Sequence, residues 1–151
     1  MLVRTDMSGS STVLIADDDQ NDVFFLRRAF QKSGLGHHLF EVQDGQQAVD
    51  YLSGAPPFQD RNKYPLPSLL LLDLKMPRMT GFEVLSWVQN QPSLKQMPVV
   101  VLSGSNQARD VEQARSLGAA EYQVKPADFD DLMKFVREVD ARWLQAARNG
   151  A

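Results

Sequence analysis

The sequence predicts a doubly wound α/β sandwich, one parallel five-stranded sheet with helices on both faces. Two observations predict the class. Five short apolar or alternating runs alternate with five stretches of helical periodicity, the pattern of repeated strand–crossover–strand units. One run, Leu69-Leu70-Leu71-Leu72, is apolar on both faces, as a strand inside a parallel sheet must be. Right-handed crossovers then place all strands pointing the same way.

The first strand, about residues 12–16, holds Val13-Leu14-Ile15-Ala16 and runs into a polar turn, Asp17 to Asn21. A helix follows to about Ser33, with Val23, Leu26, Ala29 and Phe30 recurring at threes and fours; Gly34 and Gly36 stop it. Of Phe24 and Phe25, one cannot face the core. Leu39 to Val42 is a weak second strand. After the Asp44-Gly45 turn, Gln46 to Leu52 starts a helix with Ala48, Val49 and Leu52 inward.

Residues 54–67 carry Pro56, Pro57, Pro65 and Pro67 and read as a long surface loop, because the four-leucine strand resumes at once. Pro77 and Gly81 punctuate the next turn. Phe82, Leu85 and Val88 then mark a helix ending near Asn90, with Val84 and Trp87 beside that stripe. Val99 to Leu102 is the fourth strand, and Gln107 to Leu117 a helix closed by Gly118. Glu121 to Val124 is the fifth strand. After Lys125-Pro126 a last helix runs from about Asp128 into Trp143 and Leu144. His37 and His38 lack companion ligands in the sequence and read as surface loop residues.

Composition bounds the function. A chain of 151 residues with 43% hydrophobic and 23% charged residues is one ordinary globular domain. Residues 1–10 read as a flexible leader without the apolar core of a signal peptide, 11–145 as the domain, and 146–151 as a flexible tail. A net charge of −3 without a basic stripe gives nucleic-acid binding no support. The absence of cysteine excludes thiolate metal sites, disulfides and cysteine nucleophiles, and is compatible with a cytoplasmic location. No apolar stretch approaches the roughly 20 residues that span a bilayer, so no membrane role is expected.

Asp17, Asp18, Asp73, Ser103 and Lys125 all stand at or just past strand carboxyl ends, where a sheet of this class gathers its ligand site. Three carboxylates are hard oxygen ligands suited to Mg²⁺, which takes one or two of them and keeps waters and a phosphate oxygen. A carboxylate is also a covalent nucleophile in phosphoryl transfer. The transferred group spreads charge over three oxygens, and the Lys125 ammonium and Ser103 hydroxyl offer donors for them. Singly, each residue also fits a turn former, a helix cap or a solvated charge. Jointly they describe a site for a divalent ion and a phosphoryl group.

On these motifs the chain resembles the receiver domains of two-component response regulators. The matching segments are Val13 to Asp18, Leu71 to Gly81, Val101 to Gly104 and Tyr122 to Pro126. The resemblance implies a flavodoxin-like receiver fold with strand order 2-1-3-4-5. It implies that Asp73 is the phosphoacceptor, served by a sensor histidine kinase or a phosphotransfer protein. Asp18 would bind Mg²⁺ directly, Asp17 would assist, and the Lys75 backbone carbonyl would be a further ligand. Ser103 and Lys125 would grip the phosphoryl oxygens, Ser103 and Tyr122 would form the switch, and the Lys125–Pro126 bond would be cis. The insert Pro56 to Asp60, Asp44-Gly45-Gln46 and the tail near Trp143-Leu144 resemble the stand-alone regulators paired with phytochrome-type kinases.

Two positions depart from the family pattern. Lys75 stands where asparagine is common, and Gly104 leaves little side-chain cover beside Ser103; both bear on how long a phosphate there survives. With the last helix nearly exhausting the chain, the expected output is binding, including a homodimer through the fourth helix, fifth strand and fifth helix. Autocatalytic phosphorylation and dephosphorylation would be its only chemistry. The alternative within the same fold is a pseudo-receiver that works as an interaction module without phosphorylation, although the acidic pair, Asp73 and Lys125 are all present. A haloacid-dehalogenase-like phosphatase needs a second Asp two residues after the nucleophile, where this sequence has Lys75. A flavodoxin-like electron carrier needs a phosphate loop after the first strand, which the polar turn Asp17 to Asn21 does not resemble.

Overall fold

A computed structural model describes residues 11–145; the leader at 1–10 and the tail at 146–151 lie outside the described residues. The elements run in strict alternation: β1 Thr12–Ala16, α1 Gln20–Lys32, β2 His38–Val42, α2 Gly45–Ser53, β3 Leu69–Leu72, α3 Gly81–Gln89, β4 Val99–Ser103, α4 Ala108–Ser116, β5 Glu121–Val124 and α5 Phe129–Val139. A 3₁₀ turn at Pro92–Leu94 precedes β4, and α5 runs on into a π-helical turn at Asp140–Leu144. All strand pairs are parallel and the sheet order is β2-β1-β3-β4-β5, as the resemblance implies.

The period-2 geometry of the strands sorts their side chains into two cores. Leu14, Ala16, Leu70, Leu72, Val99 and Val101 face α2, α3 and α4, while Val13, Ile15, Leu69, Leu71, Val100 and Leu102 face α1 and α5. All four β3 leucines are essentially inaccessible. Burying each contributes about 1.5–3 kcal/mol, so β3 anchors the middle of the sheet against both helical layers. The α1 stripe Val23, Leu26, Ala29 and Phe30 is buried as its spacing predicts. In α2 the inward set is Ala48, Tyr51 and Leu52, with Val49 only half-buried.

One local expectation is corrected. His37 is not a surface residue: its side chain is fully buried, with Nε2 2.7 Å from Asp140 Oδ1 and Nδ1 accepting from the Ser11 N–H at 3.0 Å. Its companion lies 103 residues away, a distance no local pattern reveals. Both Phe24 and Phe25 are exposed, at 58% and 48%, packed edge to face on each other. The proline-rich loop is also well ordered by its contacts. Arg61 donates to the carbonyls of Tyr51 and Leu52, which the end of α2 leaves open, and to the Tyr64 carbonyl within the loop.

Candidate functional site

Backbone ladders continue past the strands and align the site residues. The Asp17 N–H donates to the Val42 carbonyl at 3.1 Å, Asp73 N–H to Ala16 at 2.9 Å, and Lys125 N–H to Ser103 at 2.7 Å. Asp17, Asp73, Ser103 and Lys125 are therefore brought together at the carboxyl ends of the strands by the pairing itself.

The turns complete the frame. Asp17 Oδ1 accepts from the Asp19 N–H at 2.9 Å, and Asp19 in turn caps α1 through the Asn21 and Asp22 N–H groups. Beyond Asp73, Thr80 and Glu83 form a reciprocal capping box that starts α3. A β-carbon on Gly81 would collide with the Asp73 carbonyl oxygen, so only glycine lets α3 begin so close to the end of β3.

Asp17, Asp18 and Asp73 each present an oxygen, all within 4.8 Å of one another. Asp17 and Asp73 are buried and Asp18 is exposed. Burial is the main reason the Asp17 carboxyl is lifted to about 6; the Asp19 N–H and Lys125 oppose this, and the neighbouring Asp73 charge adds to it. Asp73 is raised for the same chief reason, despite Lys125 and the Lys75 and Leu74 N–H groups. Burial disfavours the Lys125 ammonium, but Asp22, Asp17 and Asp73 outweigh it and its pKa rises. Lys125 Nζ lies 3.0 Å from Asp17, 2.6 Å from Asp22 and 3.6 Å from Asp73. One cation thus faces several carboxylates at close range, and an oxygen-only donor set with surplus negative charge fits a hard divalent ion.

Ser103 is buried and its Oγ accepts from the Ser105 N–H at 3.2 Å. A cavity of about 360 Å³ is lined by Asp73, Lys75, Ser103 and Lys125 together with Asn106 and Gln107. Tyr122 is half-buried against the α2–α4 core and its hydroxyl donates to the Ser105 carbonyl. Lys75 is exposed on the loop leaving Asp73, and Gly104 is exposed beside Ser103.

Two features differ from expectation. The cis bond among the described residues is Pro56–Pro57, not Lys125–Pro126. Trans is the lower-energy form of an X–Pro bond, and Lys125 reaches the carboxylates without the cis isomer. Asp22, absent from the expected set, makes the shortest contact to Lys125. Its signal in the sequence is ambiguous, because an acid in the first turn of a helix is favoured by the dipole alone.

The family model for the response regulator receiver domain matches residues 13–137. The chain belongs to that family. Receiver domains are signalling modules that relay from histidine kinases, not conventional enzymes. This receiver is 33% identical over 132 residues to the probable methanogenesis regulatory protein FilR2 of Methanothrix harundinacea, covering 87% of this chain and 83% of that protein. It is 32% identical over 133 residues to the response regulator Rcp1 of Synechocystis, covering 88% of each. A Mn²⁺-bound Rcp1 structure superposes with a TM-score of 0.79 at 31% identity, covering 89% of this chain and 95% of that one. The phosphorylated cyanobacterial phytochrome response regulator RcpA superposes with a TM-score of 0.83 at 30% identity, covering 91% and 96%. Among the described residues of this receiver, no helix is long and apolar enough to cross a membrane.

Proposed function

We propose that this receiver is a stand-alone response regulator that accepts a phosphoryl group on Asp73 in a Mg²⁺-dependent reaction and signals by changed association. The observation that carries the reading is the convergence of buried Asp73, the Asp17–Asp18 pair and the Lys125 ammonium in one cluster. A carboxylate oxygen of Asp73 would form the O–P bond as the P–N bond of a donor phosphohistidine breaks, the departing imidazole keeping a proton. Asp18, Asp73 and the Lys75 backbone carbonyl would hold the Mg²⁺, with Asp17 assisting. The ion, when bound, offsets carboxylate repulsion and developing phosphoryl charge. Lys125 and Ser103 take the remaining phosphoryl oxygens.

The donor is a sensor histidine kinase, of phytochrome type by likeness to RcpA, or a phosphotransfer protein. A cavity of about 420 Å³ between α1 and α5, lined by Asp17, Asp22, Phe25, Leu26, Lys125 and Phe129, shares Lys125 with the cavity that holds Asp73 and supports an approach from that side. Association, including homodimerisation, uses the α4–β5–α5 face. There β5 is an edge strand with exposed Val124, and Ala114 is the one buried residue of α4. The proposed unit is residues 11–145, in a cytoplasmic setting where kinase and regulator meet.

The test is acetyl phosphate with Mg²⁺, read by intact mass. The parent should gain one hydroxylamine-labile phosphoryl group and Asp73→Asn none. Equal labelling of the two proteins would displace Asp73 as acceptor.

A further inference from the structure

The closest partner of the Lys125 ammonium is not in the acidic cluster. Asp22 Oδ2 lies 2.6 Å from Nζ, closer than Asp17 at 3.0 Å and a full ångström closer than Asp73 at 3.6 Å. Asp22 occupies the first turn of α1, with its own N–H bonded to Asp19. The helix dipole alone would favour an acid there, but it does not account for the ammonium being drawn outward. An ammonium has three N–H donors, and only Asp22 and Asp17 among these carboxylates are within hydrogen-bonding reach. The Asp22 side chain is 41% exposed, against 6% for Asp17 and 8% for Asp73. Water can replace Lys125 at Asp22 at far lower cost than at the buried pair.

We propose that Asp22 is a positioning residue that holds the Lys125 ammonium away from Asp73 in the unphosphorylated protein and competes with the phosphoryl group for it. The proposal rests on the reading of Asp73 as acceptor. A phosphoryl group on Asp73 offers Lys125 several anionic oxygens, and the contact surrendered is the exposed one with Asp22. The Asp22 carboxylate therefore lowers the affinity of the site for a phosphoryl group and sets how far the unmodified protein lies from the active arrangement.

Beryllofluoride with Mg²⁺, a stand-in for the phosphoryl group on a carboxylate, provides the test by calorimetry. Asp22→Asn and Asp22→Ala should bind it about two- to fivefold more tightly than the parent, the range for a partly exposed ion pair. Asp22→Glu, which keeps the charge, should return toward the parent value. The Lys125 side-chain ¹⁵N resonance, recorded without Mg²⁺ or beryllofluoride, should shift in Asp22→Asn and not in a distant control such as Glu138→Gln. Unchanged or weaker binding in both neutral variants, or an unmoved Lys125 resonance, overturns the proposal. A parent that takes neither beryllofluoride nor a phosphoryl group from acetyl phosphate overturns the acceptor reading itself, and this inference with it.

Discussion

The Tyr122 hydroxyl donates to the Ser105 carbonyl at 2.9 Å, tying β5 to the loop that leaves Ser103. The same Ser105 donates its N–H to Ser103 Oγ at 3.2 Å. One residue thus links the hydroxyl proposed to grip the phosphoryl group with the aromatic that the family resemblance pairs with it as the switch. Any shift of Ser103 Oγ toward Asp73 must break or bend the Ser105 contact. The loop would then change the environment of Tyr122, without a long chain of intermediates.

Ser103→Ala should leave Asp73 open to phosphorylation but uncouple it from association. A charge-assisted hydrogen bond contributes about 1.5–3 kcal/mol, which corresponds to roughly a 10- to 150-fold population shift when made in one state only. Tyr122→Phe should weaken coupling more mildly, because it removes a neutral hydrogen bond of about 0.5–1.5 kcal/mol and keeps the ring. Light scattering of the phosphorylated proteins ranks the three. If phosphorylated Ser103→Ala associates as the parent does, Ser103 is not the coupling residue.

Gly81→Ala should destabilise the protein by about 1–3 kcal/mol, the usual cost of forcing atoms into a packed region. The added carbon meets the Asp73 carbonyl and the Leu74 backbone, neither of which can rotate away. The displacement falls on the segment that carries Asp73, so phosphoryl transfer from acetyl phosphate should slow as well. Urea denaturation and the labelling rate, measured together, check both effects. A variant with unchanged stability would show that the α3 start yields without cost.

The sheet was legible because its signals are local: four leucines in a row, alternating strands, and glycine or proline at nearly every turn. The acidic cluster was legible for a related reason. Parallel strands turn sequence position into spatial position, so Asp73 after β3 and Lys125 after β5 meet without any knowledge of side-chain conformation. Contacts that depend on where a long side chain settles were not legible. Lys125 choosing Asp22 over Asp73, and His37 meeting Asp140, are decided by packing between α1, α5 and the sheet. The isomer of Lys125–Pro126 was likewise beyond residue type, since the same dipeptide accommodates both forms.

His37→Ala should destabilise the domain by about 1–3 kcal/mol, the penalty for unsatisfied buried polar groups. The imidazole receives the Ser11 N–H and contacts Asp140 Oδ1, so its removal strips one partner from each, although Gln145 still donates to Asp140 Oδ2. The loss is far from the acidic cluster, at the opposite end of the strands. Acetyl phosphate labelling at low temperature should therefore stay near the parent rate while the denaturation midpoint falls. A surface histidine would leave both unchanged.

Burial lifts the Asp17 carboxyl from 3.8 to about 6, so the folded protein binds this proton more tightly than the unfolded chain. For a raised acid the sign is fixed: stability is greatest below the unfolded value and falls as pH climbs from 3.8 to about 6. Above that window the cost is complete, on the order of 1–3 kcal/mol in the metal-free protein. The raised Asp73 works in the same direction. Asp17→Asn has no proton to lose, so it should become increasingly more stable than the parent across that window when Mg²⁺ is chelated. Adding Mg²⁺ at neutral pH should then raise the parent's melting temperature more than the variant's, because at a given concentration the ligand that binds the folded state more tightly stabilises it more. Parallel pH profiles for the two proteins in chelator, or an equal response to Mg²⁺, would mean that the Asp17 charge is neither a cost to the fold nor a part of the metal site.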